Sequence, residues 1–360
     1  MERFFCGTEV VSGEGALSAL ERWKGRRLLL VTEPFQEGQA AARQVTDAVE
    51  FRERAHFPVG EGAGTAALVA SGARRLKEFD PDVVAAWGNG DILSTAGAMV
   101  FFGKKDCPLV LLPTVPGAGE ALSGWVTVTH GNLRHTLVDG PCQPAMVLLD
   151  PSLYKRCERG ILAEAGFSLL SDALESFTAR GSGTIASMLA RDAFCGTWAA
   201  LPAASLGNAG AVQRLHMASV TVGMAQPRSG LGLCYAMAGA LGSRYRVGMG
   251  KLKAILLPEV IGCNAHRVGS RYAELARAAG MGGTTEAAAI RNLRAAVVRL
   301  RRELGLPECL AQAGIPPSAV WSDAGALVAG ILGDPVLEGN PVAVDDFMIR
   351  RILEAATGRR

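Results

Sequence analysis

Apolar positions follow two rhythms along this chain, and the change falls near residue 150. In the first stretch, short runs that are apolar at nearly every position alternate with amphipathic segments. Arg27-Leu28-Leu29-Leu30-Val31-Thr32, Val83-Val84-Ala85-Ala86-Trp87 and Leu109-Val110-Leu111-Leu112 are such runs, and 38–49 is a helix-compatible segment between two of them. Strands apolar on both sides must be covered on both sides, so the runs predict a mostly parallel sheet wrapped by helices. Further strands are expected at 126–129, 136–138 and 146–149. From Asp150-Pro151 onward strand signals nearly stop. The segments 161–180, 183–204, 211–225, 231–245, 251–264, 266–279, 284–304, 316–332 and 343–357 predict helices, many bounded by Gly or Pro. The expectation is an α/β domain over 1–150, an all-α domain over 151–360 whose core is helix-on-helix packing, and an active-site cleft between them.

Composition narrows the function classes. Lys and Arg number 37 against 34 Asp and Glu, with no basic block, which argues against a nucleic-acid partner. No stretch reaches the roughly 20 apolar residues of a membrane span. The start MERFFCGTEVV carries charges and no long apolar run, so it does not read as a signal peptide, and a cytoplasmic enzyme acting on a small molecule is expected. The 8 cysteines are scattered and form no CxxC pair, which fits buried small hydrophobes better than a disulfide framework or a zinc knuckle. The 5 histidines stand at 56, 130, 135, 216 and 266.

Candidate chemistry in the α/β half lies at strand ends. Gly88-Asn89-Gly90-Asp91 follows a strand and opens a helix. Its two glycines let backbone amides approach a pyrophosphate, whose charge the helix start favours; a plain tight turn accounts for the same residues. Glu33, just past the strand 28–32, is placed to accept ribose hydroxyls and to repel a 2′-phosphate, or it is a solvated turn residue. Pro113-Thr114-Val115-Pro116-Gly117-Ala118-Gly119 is a further glycine-bearing loop after a strand.

In order and separation these motifs resemble the iron-containing alcohol dehydrogenase superfamily, which includes glycerol dehydrogenase and maleylacetate reductase. Residues 88–96 (GNGDILSTA) stand where the family has GGGSxxDxAK, and 113–120 (PTVPGAGE) resemble its PTTAGTGSE. Asp172-Ala173-Leu174-Glu175-Ser176 resembles DALxH, 230–242 (GLGLCYAMAGALG) is similar to GLGxxHAMAHxLG, and Asn340-Pro341 matches its NPR ending. The resemblance implies a dinucleotide-binding domain followed by a helical one, an NAD or NADP cofactor, Thr114 and Gly117 in the cofactor loop, Glu33 at the ribose-binding Asp, Arg134 near the cofactor-side Lys, and a homodimer. Glu33 tilts the choice toward NAD.

The departures change the chemistry that this implies. Family members hold a catalytic divalent metal on one Asp and three His. The Asp is matched by Asp172, whereas the histidine positions hold Ser176, Tyr235 and Met249. A carboxylate with a hydroxyl, a phenol and a thioether is a poor set for iron or zinc, so no catalytic metal is expected. Asp91 and Glu120 replace serines of the phosphate loops, and Ser94 and Gly97 stand where the family has Asp and Lys. Without the ion, Tyr235 is the candidate proton donor, Asp172 a proton carrier that burial would favour, or the group that orients Tyr235, and Ser176 a further candidate catalytic residue. Lys251 and Lys253 are placed to restore positive charge, or they lie on a solvated helix face. Glu175 and Cys234 flank the centre and are expected to point away from Ser176 and Tyr235; Met249, Cys234 and Lys253 are the expected substrate-pocket residues. An imine or an activated carbonyl of a biosynthetic metabolite would suit hydride transfer without a Lewis acid. The alternatives are a redox-neutral cyclase or lyase, and a non-catalytic partner subunit.

Overall fold

The computed structural model describes residues 4–60, 63–104, 106–116, 122–131, 133–137, 142–154 and 157–358, and divides into two compact units. One holds most of the chain before Glu158; the other holds the chain from Glu158 onward, together with Arg134.

The first unit is built on a six-stranded parallel sheet: β1 (Glu9–Ser12), β2 (Arg27–Thr32), β3 (Glu53–Pro58), β4 (Val83–Gly88), β5 (Leu109–Pro113) and β8 (Met146–Leu149), in the spatial order β1-β8-β5-β4-β2-β3. β4, β5 and β8 are buried at every position, as strands covered on both faces must be. Helices α1 (Phe35–Ala48), α2 (Ala66–Phe79) and α3 (Gly90–Gly103) follow β2, β3 and β4. From β2 the chain goes first to β3 on one side and then to β4 on the other, with Leu28 paired to Val83 and to Arg54. The carboxyl ends of β2 and β4 therefore flank a topological switch point, the position where open α/β sheets take ligands.

Two strands expected from the sequence leave this sheet. β6 (Val126–His130) and β7 (Leu133–Leu137) form a two-stranded sheet of their own, and Thr129 of β6 makes an isolated bridge to Thr65. Val126 and Val128 pack instead with Val69, Ala98 and Cys142. Two strands of the sheet lack the continuous apolar run of the others. β3 has the burial pattern of an edge, with only Ala55 and Phe57 inside, and β1 has only four residues.

The second unit is helical: α4 (Arg159–Thr178), α5 (Thr184–Ser205), α6 (Ala209–Ser229), α7 (Leu233–Tyr245), α8 (Met249–Ala278), α9 (Glu286–Glu303), α10 (Pro317–Ser322), α11 (Ala324–Leu332) and α12 (Asp346–Ala356). The segments 251–264 and 266–279 run on as the single helix α8, with a kink at Val268 (φ −124°, ψ 27°). Pro258 sits inside it. Its missing N–H leaves the Ala254 carbonyl without the usual helical donor, and Arg301 Nη1 donates to that carbonyl at 3.3 Å. Conversely, 316–332 is broken at Asp323, whose carboxylate pairs with Arg244 and accepts from Tyr245 Oη at 2.8 Å. Among the described residues no helix is long and apolar enough to cross a membrane.

His216, on α6, is 1% exposed, and burial pushes it down to about 3. A base depressed in the folded state takes up its proton in the unfolded chain first, so stability is lost as pH falls below its ordinary value near 6.5. Each pH unit is worth about 1.4 kcal/mol. Between pH 7 and pH 5 the protein should lose about 2 kcal/mol through this group. Urea unfolding at both pH values should show that loss shrinking by the same amount in His216→Gln.

Candidate functional site: a buried ammonium among phenol and carboxylates

Two cationic side chains converge on one ring. Tyr235, on the first turn of α7, is fully buried. Lys253, one turn into α8, places Nζ 4.8 Å from the ring centroid, and Arg134 places its guanidinium carbon 4.7 Å from it. Arg134 Nη2 donates to Tyr235 Oη at 2.7 Å. Lys253 Nζ donates to Asp172 Oδ1 at 2.6 Å and to Ser168 Oγ at 2.9 Å, both from α4. The ion pair is almost dry, with side-chain exposures of 0% for Lys253 and 4% for Asp172. Removing two charges from water costs several kcal/mol for each ion. The short bond, the Ser168 hydroxyl and the aromatic face offset that cost together.

The same centre is held from its other side by Glu175, one turn after Asp172. Glu175 Oε1 accepts from the Cys234 amide at 2.8 Å and Oε2 from the Tyr235 amide at 3.0 Å. It therefore points at the start of α7 rather than away from it, contrary to the sequence expectation: an unsatisfied helix N-terminus draws a carboxylate. Burial is the main cause that pushes Glu175 up, to about 7. Cys234 Sγ accepts from Ser171 and donates to the Lys253 carbonyl, and burial pushes its thiol well up, so it is an inert packing thiol. Ser176 Oγ shares a 2.6 Å hydrogen bond with Ser229 Oγ. Met249, half-buried, opens α8.

In the sheet unit, Glu33 follows the end of β2, Gly88 ends β4 beside it, and Asn89 is the N-cap of α3. Asn89 Oδ1 accepts from the Asp91 and Ile92 amides at 3.1 and 3.2 Å, so two of the amides expected to face a pyrophosphate are capped by their own chain. Gly90 has open space where a Cβ would stand, whereas a Cβ on Gly88 would strike Ile92. Asp91 is an exposed first-turn carboxylate and suits the helix start. The Thr114 amide donates to the Gly88 carbonyl at 3.0 Å, tying the second loop to the first. Gly117 and Glu120 lie outside the described residues. Ser94 and Gly97 seat the hairpin: Ser94 Oγ accepts from the Thr127 amide at 3.0 Å, and a Cβ on Gly97 would lie 2.8 Å from Val126 Cγ1.

Family models decide the lineage. The iron-containing alcohol dehydrogenase model matches residues 7–151, and the Fe-containing alcohol dehydrogenase C-terminal model matches 162–357. The chain belongs to the iron-containing alcohol dehydrogenase family. It is 28% identical to the 1-propanol dehydrogenase PduQ of Citrobacter freundii over 98% of this chain and 99% of that one. It is 23% identical to the NADPH-dependent butanol dehydrogenase of Clostridium saccharobutylicum over 98% and 97%. The fold matches the iron-containing alcohol dehydrogenase structure from Thermococcus thioreducens with a TM-score of 0.86 at 24% identity, covering 99% and 100% of the two chains.

A family of this name implies a metal, and the side chains here do not fit one. Iron or zinc needs carboxylate, imidazole or thiolate donors about 2.0–2.3 Å away. The anionic donor of the set, Asp172, is bonded to an ammonium. Of the groups at the histidine positions, the Ser176 hydroxyl is bonded to Ser229 and the Tyr235 hydroxyl to Arg134. Lys253 brings a fixed positive charge to the carboxylate that the family gives to the ion.

The sequence reading named Tyr235, Asp172, Lys253 and Arg134, and the structure brings them together, with Arg134 on the tyrosine. Ser176, expected to be catalytic, has its hydroxyl bonded to Ser229, and nothing described joins it to the Tyr235 group. Gly239 makes room for the guanidinium of Arg134. It stands at the second histidine of the HAMAH motif, and a Cβ there would collide with the Arg134 guanidinium. A glycine inside a helix, which costs roughly 1 kcal/mol against alanine, was the available signal.

Proposed function

We propose that this protein is a nicotinamide-dinucleotide-dependent reductase of a small activated carbonyl compound, with the Lys253 ammonium standing in for the divalent ion. The observation that carries this is the dry Lys253–Asp172 pair beneath the ring of Tyr235, whose hydroxyl is held by Arg134. Tyr235 Oη donates a hydrogen bond and then its proton to the carbonyl oxygen as the carbon is reduced. Arg134 and Lys253 stabilise the negative charge left on the phenol oxygen until water returns the proton. Asp172 holds Lys253 in place. The nicotinamide, when bound, supplies the hydride. A carbonyl suits this centre better than an imine, because an iminium would bring a third cation beside two while Asp172 is already paired.

Glu33, Gly88, Gly90 and Thr114 are the described residues that would hold the nucleotide, at the switch point of the sheet. Glu33 favours NADH, since its carboxylate repels a 2′-phosphate. The membership in an alcohol dehydrogenase family, and relatives acting on propanol and butanol, support reduction of an aldehyde. The test uses protein treated with a strong chelator and assayed with propanal. NADH absorbance at 340 nm should fall, faster than with NADPH, and added iron or zinc should not raise the rate. Turnover that returns only with metal overturns the substitution by Lys253; failure of both nucleotides to bind in calorimetry overturns the reductase.

A further inference from the structure

Helix α7 begins without a capping side chain of its own. Its N-cap is Gly232, and the amides of its first residues are satisfied from elsewhere in the fold. Leu233 N donates to Asn340 Oδ1 at 3.2 Å, and Asn340 is itself locked by paired hydrogen bonds to Asn264. The next two amides, those of Cys234 and Tyr235, both go to the one carboxylate of Glu175. Gly232 is what permits this approach: a Cβ there would lie 2.9 Å from Glu175 Oε1 and 2.8 Å from Asn340 Oδ1. Glu175 sits on the same helix as Asp172, one turn on. A single rigid helix thus presents one carboxylate to the Lys253 ammonium and another to the backbone of the tyrosine that Lys253 underlies.

We infer that Glu175 is a positioning residue: by gripping the Tyr235 amide it fixes the height of the phenol above Lys253 and couples α7 to α4, so that the proton donor is held in register with its cations. This rests on the reading of Tyr235 as proton donor. A side chain on the first turn of a helix moves with that turn, and Glu175 supplies the acceptor for two of its amides at once. Losing this grip would let the first turn fray. A shift of about 1 Å in a reacting group is enough to cost on the order of a hundredfold in rate.

The test combines an amide signal with turnover. The chain has 4 tyrosines, so labelling with 15N-tyrosine gives one amide signal for each, and Tyr235→Phe identifies the one that matters. In the unsubstituted protein that amide proton, donating to a carboxylate, should lie downfield of the other three. In Glu175→Gln, which keeps one acceptor oxygen, it should move upfield while the other three stay in place, and in Glu175→Ala it should move further. With propanal and NADH, kcat should fall by about 10-fold in Glu175→Gln and about 100-fold in Glu175→Ala, with KM and the NADH Kd within about twofold of the parent. A Tyr235 amide that is not downfield in the parent, or that does not move in Glu175→Gln, overturns the inference. So does a shifted amide with unchanged kcat. Should the parent protein turn over no carbonyl at all, the proton-donor reading fails on its own, whereas the amide shift still reports whether Glu175 holds the helix start.

Discussion

Lys253→Met should destabilise the protein by about 3–5 kcal/mol and lower turnover by about 10²–10³, the first because it strands a buried carboxylate and the second because it removes a preorganised cation. Asp172, 4% exposed in the parent, loses there an ammonium that stood at 2.6 Å. Methionine fills nearly the volume of the lysine stem, so packing changes little. The two losses separate in the pair Asp172→Leu with Lys253→Met. Replacing both members of a buried ion pair by apolar groups of similar size is often neutral or stabilising, so urea unfolding of the double variant should return to within about 1–2 kcal/mol of the parent. Its turnover should stay as low as that of Lys253→Met. A double variant that recovers both quantities would show the pair to be only a structural element. A single variant that keeps full turnover would remove Lys253 from the chemistry.

How much of this centre a sequence exposes depends on what each residue needs from its neighbours. The fold is legible because parallel strands buried on both faces leave continuous apolar runs such as 28–31 and 83–87, and because Gly and Pro punctuate the helices. The strand Glu53–Pro58 was not legible, since an edge strand alternates and its charges mimic a loop. Lys253 shows the limit for sites. A lysine on a helix is ordinarily solvated, and only the third dimension reveals that it lies over Tyr235 and against Asp172, 81 positions away in the chain. Glu175 was assigned the wrong direction for a related reason. Helical periodicity gives the face a side chain leaves from, but a glutamate has enough reach to turn toward an unsatisfied helix start. The glycine at 239 carried information of the opposite kind, because what it permits is visible only once the Arg134 guanidinium occupies the space. In the sheet unit, Asn89 stands among the residues expected to bind the cofactor, and its side chain instead caps the start of α3.

Tyr235→Phe tests the proton donor with the least disturbance. The ring remains, and with it the contacts to Lys253 and Arg134; only the hydroxyl that accepts from Arg134 Nη2 is lost. That bond to a charged donor is worth about 1.5–3 kcal/mol of stability. Loss of a general acid should lower kcat by about 10²–10⁴, and because the acid acts in the transition state rather than in binding, kcat/KM should fall by the same factor. NADH affinity should be unchanged, since the nucleotide is assigned to the ends of β2 and β4. The comparison with Lys253→Met carries the mechanism. If Tyr235 gives the proton and the cations act on its oxygen, then Lys253→Met made on top of Tyr235→Phe should cost less than it does in the parent, because the charge it stabilised no longer forms there. Fully additive losses in that cycle would mean that Lys253 acts on the substrate directly, and undiminished turnover in Tyr235→Phe would mean that water or another side chain protonates the product.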